Sequence, residues 1–339
     1  MFKTISIGII QVFILVALLV LAGCGGNGQA ETSSDSNTNE QTLDTEESSN
    51  EEDVTENSED TRVIEHALGE TEVSGTPSKV VTLFQGATDA SLLLEIQPAG
   101  AVEAWVEKPW YNYIRDEMDG VTNLGLETQP NIEEIIALQP DLIIASKTRH
   151  EEIYDQLSNI APTVVTEDHF HWKEILSLTA DALNKEEEEQ AFLTEWEEKV
   201  MNFKEKLGSE LENTEVAIVG FRSDHARIFY NTFPALIIDE LGLKRPANQV
   251  GDDWGVKLTS KENIPEMDAD IIFDMTSVSR DDGRVDTRED WVNHPLWANL
   301  RAVQNDRVYS VDPVIWTNGS GPIAATKMLE DLYEYFELE

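Results

Sequence analysis

The apolar positions of this 339-residue chain change rhythm along its length, and each rhythm predicts a different kind of element. After Lys3 comes an apolar run, ISIGIIQVFILVALLVLAGCGG, that closes in small residues. Residues 25–60 then hold almost no apolar side chain. Beyond them, short β-branched runs alternate with amphipathic stretches. KVVTLF (79–84), AGAVEAW (99–105), PDLIIAS (140–146) and PTVVTE (162–167) read as strands, with GATDASLLLEI, NIEEIIALQ and HEEIYDQLSNI as the helices between them. Strands separated in this way predict a mainly parallel sheet covered on both faces.

Residues 171–212 follow another period. Phe192, Trp196, Val200 and Phe203 recur at three- and four-residue steps, and neither Pro nor Gly interrupts from Lys173 until Gly208. A helix of about 25 residues there would be roughly 37 Å long, enough to run from one domain to another. Strand–helix alternation then resumes with EVAIVGF (215–221), RIFYN, PALIIDELG, ADIIFDM (269–275), RVYSVD (307–312) and PIAATKMLEDLYEYF. The predicted fold class is α/β: two Rossmann-like lobes, 61–184 and 213–339, joined by one long rigid helix at 185–212. Ligands of such open sheets bind beyond the carboxyl ends of the strands, so the cleft between the lobes is the expected site.

Composition sharpens the picture at the N-terminal side. A charged start, an apolar stretch and a small-residue exit describe an export signal over residues 1–23. LAGC resembles the bacterial lipobox, in which the cysteine thiol is acylated; Cys24 is also the one cysteine in the chain. A chain with no second cysteine fits an exported protein that uses no disulfides. Residues 24–60 are then the lipidated cysteine and an acidic tether, too polar to offset the entropy of ordering and extended by self-repulsion.

The net charge is −42, which disfavours nucleic acid and anionic membrane surfaces as partners. Residues 31–60 carry 12 of the acids and no Lys or Arg, and Lys3 is the one base before Thr61; 54 acids and 23 bases, a net −31, remain from Thr61 onward. Such a surface suits a saline or alkaline habitat, where salt screens the repulsion, or an ordinary acidic extracellular protein.

Against that field, positive charge gathers at two strand ends. VGFRSDHARIFYN (219–231) places Arg222, His225 and Arg227 within six positions, followed by Tyr230. SKTRHEEIY (146–154) places Lys147, Arg149 and His150 after PDLIIA. Guanidinium groups keep their charge, shed water readily and donate paired hydrogen bonds, so Arg149 and Arg222 are the leading candidates for holding an anionic ligand. Trp172, Trp254 in GDDWG and Trp316 in DPVIWTNGSG stand in loops and are candidate walls; Trp110 and Tyr111 are weaker ones. Trp196 and Trp297 read as packing.

From about Val80 onward the chain resembles the iron-siderophore/cobalamin class of ABC-transporter substrate-binding proteins. The matching stretches are PSKVVTLFQGATDASLLLEI, NLGLETQPNIEEIIALQPDLIIAS, YDQLSNIAPTVV, LTSKENIPEMDADIIF and HPLWANLRAVQNDRVYSVD. Within the class it is most similar to the Gram-positive lipoproteins that bind ferric hydroxamate or citrate-based siderophores. The resemblance implies a class III periplasmic-binding-protein-like fold and a monomer on the outer face of the cell membrane, anchored through Cys24. It implies capture of an Fe3+–siderophore complex, with no resident cofactor, and delivery to an ABC permease dimer. Glu133 in PNIEEI and Glu262 in TSKENI match the surface glutamates, one per lobe, that dock onto permease arginines in that family. One departure concerns LGLETQPN: some hydroxamate-specific members carry an arginine just after the glycine, where this chain continues to Glu127.

Two rival readings follow from other residues. DHFHW offers Asp168, His169 and His171 as ligands for bare Mn or Zn ions, and a haem or cobalamin receptor is a further alternative. Catalysis finds no support in the motifs: there is no nucleophile elbow, HExxH, phosphate loop or CxxC, and NGSGP (318–322) lacks the flanking pattern of a hydrolase elbow.

Overall fold

The computed structural model describes residues 61–278 and 282–338. The expected export signal, Cys24 and the tether lie outside the described residues. β1 (Thr61–His66) and β2 (Gly69–Ser74) form an antiparallel hairpin that buries Ile64 and Val73. The chain continues through β3 (Val80–Thr82), α1 (Gln85–Leu93), β4 (Gly100–Ala101), β5 (Thr122–Asn123) and a small hairpin of β6 (Gly125–Leu126) and β7 (Gln129–Pro130). It goes on through α2 (Ile132–Leu138), β8 (Leu142–Ser146), α3 (Lys147–His150), α4 (Tyr154–Ser158), β9 (Thr163–Thr166) and α5 (Trp172–Leu183).

Five of these strands lie side by side as β5-β4-β3-β8-β9, all parallel. Their residues alternate between two cores: Val80, Leu142, Ile144 and Val164 face one, while Val81, Ile143, Ala145 and Val165 face the other. Burial on both faces explains why these segments read as unbroken apolar runs.

Asn184, left-handed at φ 57°, ends α5, and α6 (Glu186–Leu207) follows at once. Its 22 residues make a rod of about 33 Å. Trp196, Val200, Phe203 and Leu207 form its buried stripe; Glu186 to Glu189 at its start and Lys204 and Lys206 in its last turn complement the helix dipole.

The second lobe runs β10 (Val216–Phe221), β11 (Ala226–Phe229), α7 (Phe233–Glu240), β12 (Gly255–Leu258), β13 (Ile271–Asp274), α8 (Arg284–Val292), α9 (Arg301–Gln304), β14 (Val308–Ser310) and α10 (Pro322–Tyr335). Its sheet order is β12-β11-β10-β13-β14. β10, β13 and β14 pair in parallel, but β11 runs the other way and pairs antiparallel with both β10 and β12. The mainly parallel expectation therefore holds for one sheet and half of the other. The reason is local: β10 and β11 are joined by a tight turn, closed by the Arg222 amide donating to the His225 carbonyl (2.8 Å), with no room for a crossover helix.

One continuous core joins the lobes. It takes one face of each sheet together with α1, α5, α6, α7 and α10. Ala324, Ala325, Met328, Leu329 and Leu332 of α10 all sit in it, so α10 packs against both halves of the molecule.

Candidate functional site

The carboxyl ends of the two sheets face a shared cavity of about 180 Å³. From the first lobe come Gln85 and Gly86 at the start of α1, Trp105 beyond β4, Glu127 in the β6–β7 turn, Arg149 in α3 and His169 beyond β9. From the second come Arg222 just past β10, Trp254 just before β12, and Thr317, Asn318 and Ser320 ahead of α10. A smaller cavity of about 100 Å³ adjoins it, sharing Arg222, Thr317 and Asn318 and adding Ser277 and Arg284.

Arg149 is held from two sides. Its Nε donates to Glu127 Oε1 at 3.0 Å and its Nη2 to His169 Nε2 at 3.2 Å. Because the guanidinium only donates, His169 Nε2 accepts, and the ring proton sits on Nδ1, which donates to Thr148 Oγ1 (3.1 Å). Burial and the neighbouring guanidinium lower the His169 pKa to about 4, so the ring is neutral around pH 7. Glu127 is 4% exposed, and burial raises its pKa while Arg149 and the Trp105 indole N–H (3.2 Å) work against that rise. His150 lies beneath: its Nδ1 accepts from the Ser146 amide (3.1 Å) and its Nε2 donates to the Glu127 carbonyl (2.9 Å), which fixes the turn carrying Glu127. Lys147 turns outward to Glu167.

Across the cleft, the Arg222 Nη1 donates to its own residue's neighbour, the Phe221 carbonyl, at 3.2 Å, and its guanidinium carbon lies 6.0 Å from the Phe229 ring centroid. Trp254, 44% exposed, meets the edge of Phe229 at 5.0 Å and covers the Arg227 guanidinium at 4.6 Å. Arg227 and Phe229 stand on one face of β11 two positions apart, so together they form the bed on which Trp254 rests.

The residues singled out from the sequence thus separate into three groups. Arg149, Arg222 and Trp254 line one cavity. Arg227 and His225 stand behind that lining: Arg227 supports Trp254, and His225 is buried with Nδ1 on Asp224 Oδ1 at 2.6 Å. Tyr230 is also outside the lining, its hydroxyl donating to the Asn248 carbonyl (3.0 Å). Trp172 and Trp316 require correction as cleft walls. Trp172 is 2% exposed, packed 4.8 Å from Trp196, because it opens α5 where that helix lies on α6. Trp316 is fully buried, 4.6 Å from Phe273, with its indole N–H on Asp331 Oδ2 at 2.8 Å. Trp196 and Trp297 pack in cores, as do Trp110 and Tyr111.

Sequence reasoning missed Gln85, Trp105, Thr317, Asn318 and Ser320. The first two follow strand ends within a few residues, the signal that found Arg149 and Arg222. Glu133 and Glu262 are both exposed, in the first turns of α2 and of the short 3-10 segment Lys261–Met267. The Asp168–His169–His171 set does not converge: His171 pairs with Asp168 while His169 faces Arg149. No group of three or more potential metal ligands comes together among the described residues.

The family model for periplasmic binding proteins matches residues 80–315. The chain belongs to the periplasmic binding protein family. This periplasmic binding protein is 42% identical over 287 residues to the probable siderophore-binding lipoprotein YfiY of Bacillus subtilis, covering 81% of this chain and 88% of that one. It is 38% identical over 267 residues to the achromobactin-binding periplasmic protein of Dickeya dadantii, covering 76% and 85%. Its fold superposes on the crystal structure of Staphylococcus aureus SirA complexed with staphyloferrin B with a TM-score of 0.78 and 39% identity, covering 82% of this chain and 99% of that one. Family and neighbours alike are substrate-binding proteins and not enzymes, and the two α/β lobes with a long helix are the class III arrangement.

Proposed function

We propose that this chain captures a ferric siderophore in the cleft between its lobes and delivers it to the permease of an ABC importer, while anchored through Cys24 on the outer face of the cell membrane. The observation that carries the reading is the placement of Arg149 and Arg222, one from each lobe, on a single cavity with Trp105 and Trp254 on its sides. The relatives support it, one being named a probable siderophore-binding lipoprotein and another an achromobactin-binding periplasmic protein.

The lining also bears on the ligand class. Glu127 pairs with one of the two guanidinium groups and His169 is neutral near pH 7, so the positive charge of the lining is modest. Gln85, Thr317, Asn318 and Ser320 add neutral hydrogen-bonding groups. This combination suits a complex of modest negative charge that shows carboxylate and hydroxyl oxygens, as citrate-type siderophores do. It suits a highly charged complex less well. The splitting of His169 from His171 speaks against a bare-ion receptor.

The test is titration of intrinsic tryptophan fluorescence with ferric staphyloferrin B, ferric citrate, a ferric hydroxamate, and Mn2+ and Zn2+, with calorimetry on each hit. Saturable quenching by a citrate-type complex is expected, and it should weaken strongly in Arg222→Ala. Trp254→Phe should lose most of the signal, while Trp172→Phe should keep it. A response to Mn2+ or Zn2+ alone, with none to any chelate, would overturn the reading.

A further inference from the structure

The cleft wall made by Thr317, Asn318 and Ser320 belongs to the second lobe by sequence, yet it is fastened from the first. Asp89, on α1, is fully buried. Its Oδ1 accepts from the Ile323 amide at 2.6 Å, and its Oδ2 accepts from the Ala324 amide at 3.2 Å and the Tyr113 hydroxyl at 2.7 Å. Ile323 and Ala324 open α10, whose own N-cap, Gly321, has no side chain to satisfy them, and Pro322 has no amide hydrogen to offer. One carboxylate from another part of the chain therefore caps the helix.

The glycines around it make the approach possible. A Cβ at Gly321 would overlap the Asp89 side chain, and one at Gly319 would crowd the Tyr113 hydroxyl and Ala324. At Gly86, four residues past the end of β3, a Cβ would stand 2.9 Å from the Ser320 carbonyl oxygen. Ser320 in turn holds left-handed backbone at φ 54°, with its Oγ on the Thr317 carbonyl at 2.8 Å. The segment from Thr317 to Ser320 is pinned between α1 and the first turn of α10.

We propose that Asp89 is the positioning residue of this wall: by capping α10 from the opposite lobe, its carboxylate holds Thr317, Asn318 and Ser320 in their ligand-facing places. The consequence for affinity rests on the cleft being the siderophore site proposed above. Burial pushes the Asp89 pKa up to about 7, against the bonds from Tyr113, Ile323 and Ala324 and the charge of Lys327 on α10. Tyr113 itself is driven well above its ordinary range by burial and by Asp89, with Tyr111 adding to the effect, so it stays a hydroxyl donor. Ionised, Asp89 accepts all three bonds. Protonated, it loses an acceptor position but no longer carries a buried charge.

The experiment uses the full-length chain in detergent, as wild type, Asp89→Asn and Tyr113→Phe. Amide hydrogen-exchange protection of residues 317–324 is read without ligand at one fixed pH, together with affinity for ferric staphyloferrin B. Asp89→Asn, whose amide nitrogen cannot accept, should lower protection of that segment and weaken affinity by about tenfold, the loss expected for one charge-assisted hydrogen bond. Tyr113→Phe, which keeps both backbone bonds and removes the third, should lower protection and affinity by less; it carries the test if Asp89→Asn does not fold. Unchanged protection at 317–324 in Asp89→Asn, or affinity equal to wild type, overturns the proposal. Altered exchange with no ferric siderophore bound by wild type leaves Asp89 as the positioner of the wall and defeats the functional reading instead.

Discussion

Arg227 lies beneath the Trp254 indole, its guanidinium carbon 4.6 Å from the ring centroid, so a cation supports a wall of the cleft without facing into it. Such a contact contributes about 0.5–2 kcal/mol depending on its exposure. Arg227→Ala should therefore weaken ferric siderophore binding by roughly three- to tenfold, by letting Trp254 move. Arg227→Met, which keeps the stem, should recover part of the loss. Calorimetric titration of both variants checks this; equal affinities for wild type and Arg227→Ala would remove the support role.

The pairing of Arg149 with Glu127 has a more severe consequence. Glu127 is buried, so Arg149→Ala strands a carboxylate and should cost about 3 kcal/mol of stability as well as ligand binding. Adding Glu127→Gln to that variant should restore much of the stability and none of the binding. Denaturant unfolding and titration of the two single variants and the double variant separate the effects.

A half-buried histidine and a buried aspartate should shape the pH dependence of stability in opposite directions. His169, lowered from 6.5 to about 4, takes up its proton more readily in the unfolded chain, so it makes stability rise with pH across that window. The full effect is about 3 kcal/mol. Asp89, raised from 3.8 to about 7, binds its proton more readily in the folded chain and makes stability fall with pH over its own window, by about 4 kcal/mol. Wild type should thus look flatter than either variant alone: His169→Gln should lose stability on going from acid to neutral, and Asp89→Asn should gain it. Chemical unfolding of all three across that range is the measurement.

Glu133 and Glu262 stand exposed on separate lobes, away from the cavity lining. If they dock onto the permease, replacing each by Ala should leave ligand affinity unchanged and abolish most iron uptake by cells that depend on this chain. Uptake at the wild-type rate in the double variant would withdraw the docking assignment.

The rhythm of apolar positions was enough to read most of the parallel strands, the long helix and the placement of Arg149, Arg222 and Trp254 beside strand ends, since each rests on local period and chain direction. Depth was not legible. Trp172 and Trp316 look like loop residues in the sequence, and nothing there shows that one opens a helix lying on α6 or that the other turns under α10. Strand parity would have separated Arg227 from Arg222, but it requires knowing that β11 begins at Ala226 and returns antiparallel from a tight turn. Asp89 carried no signal at all, because its partners lie 234 and 235 residues away.

That separation has a meaning for how the molecule comes into being. A cap that joins residue 89 to residues 323 and 324 cannot form on a partly made or partly threaded chain, and contacts between such distant residues close late. The segment carrying Thr317, Asn318 and Ser320 gains its anchor only when α10 arrives. On the proposed export route, in which the chain crosses a membrane as an open thread, this keeps a finished ligand trap from assembling on the wrong side.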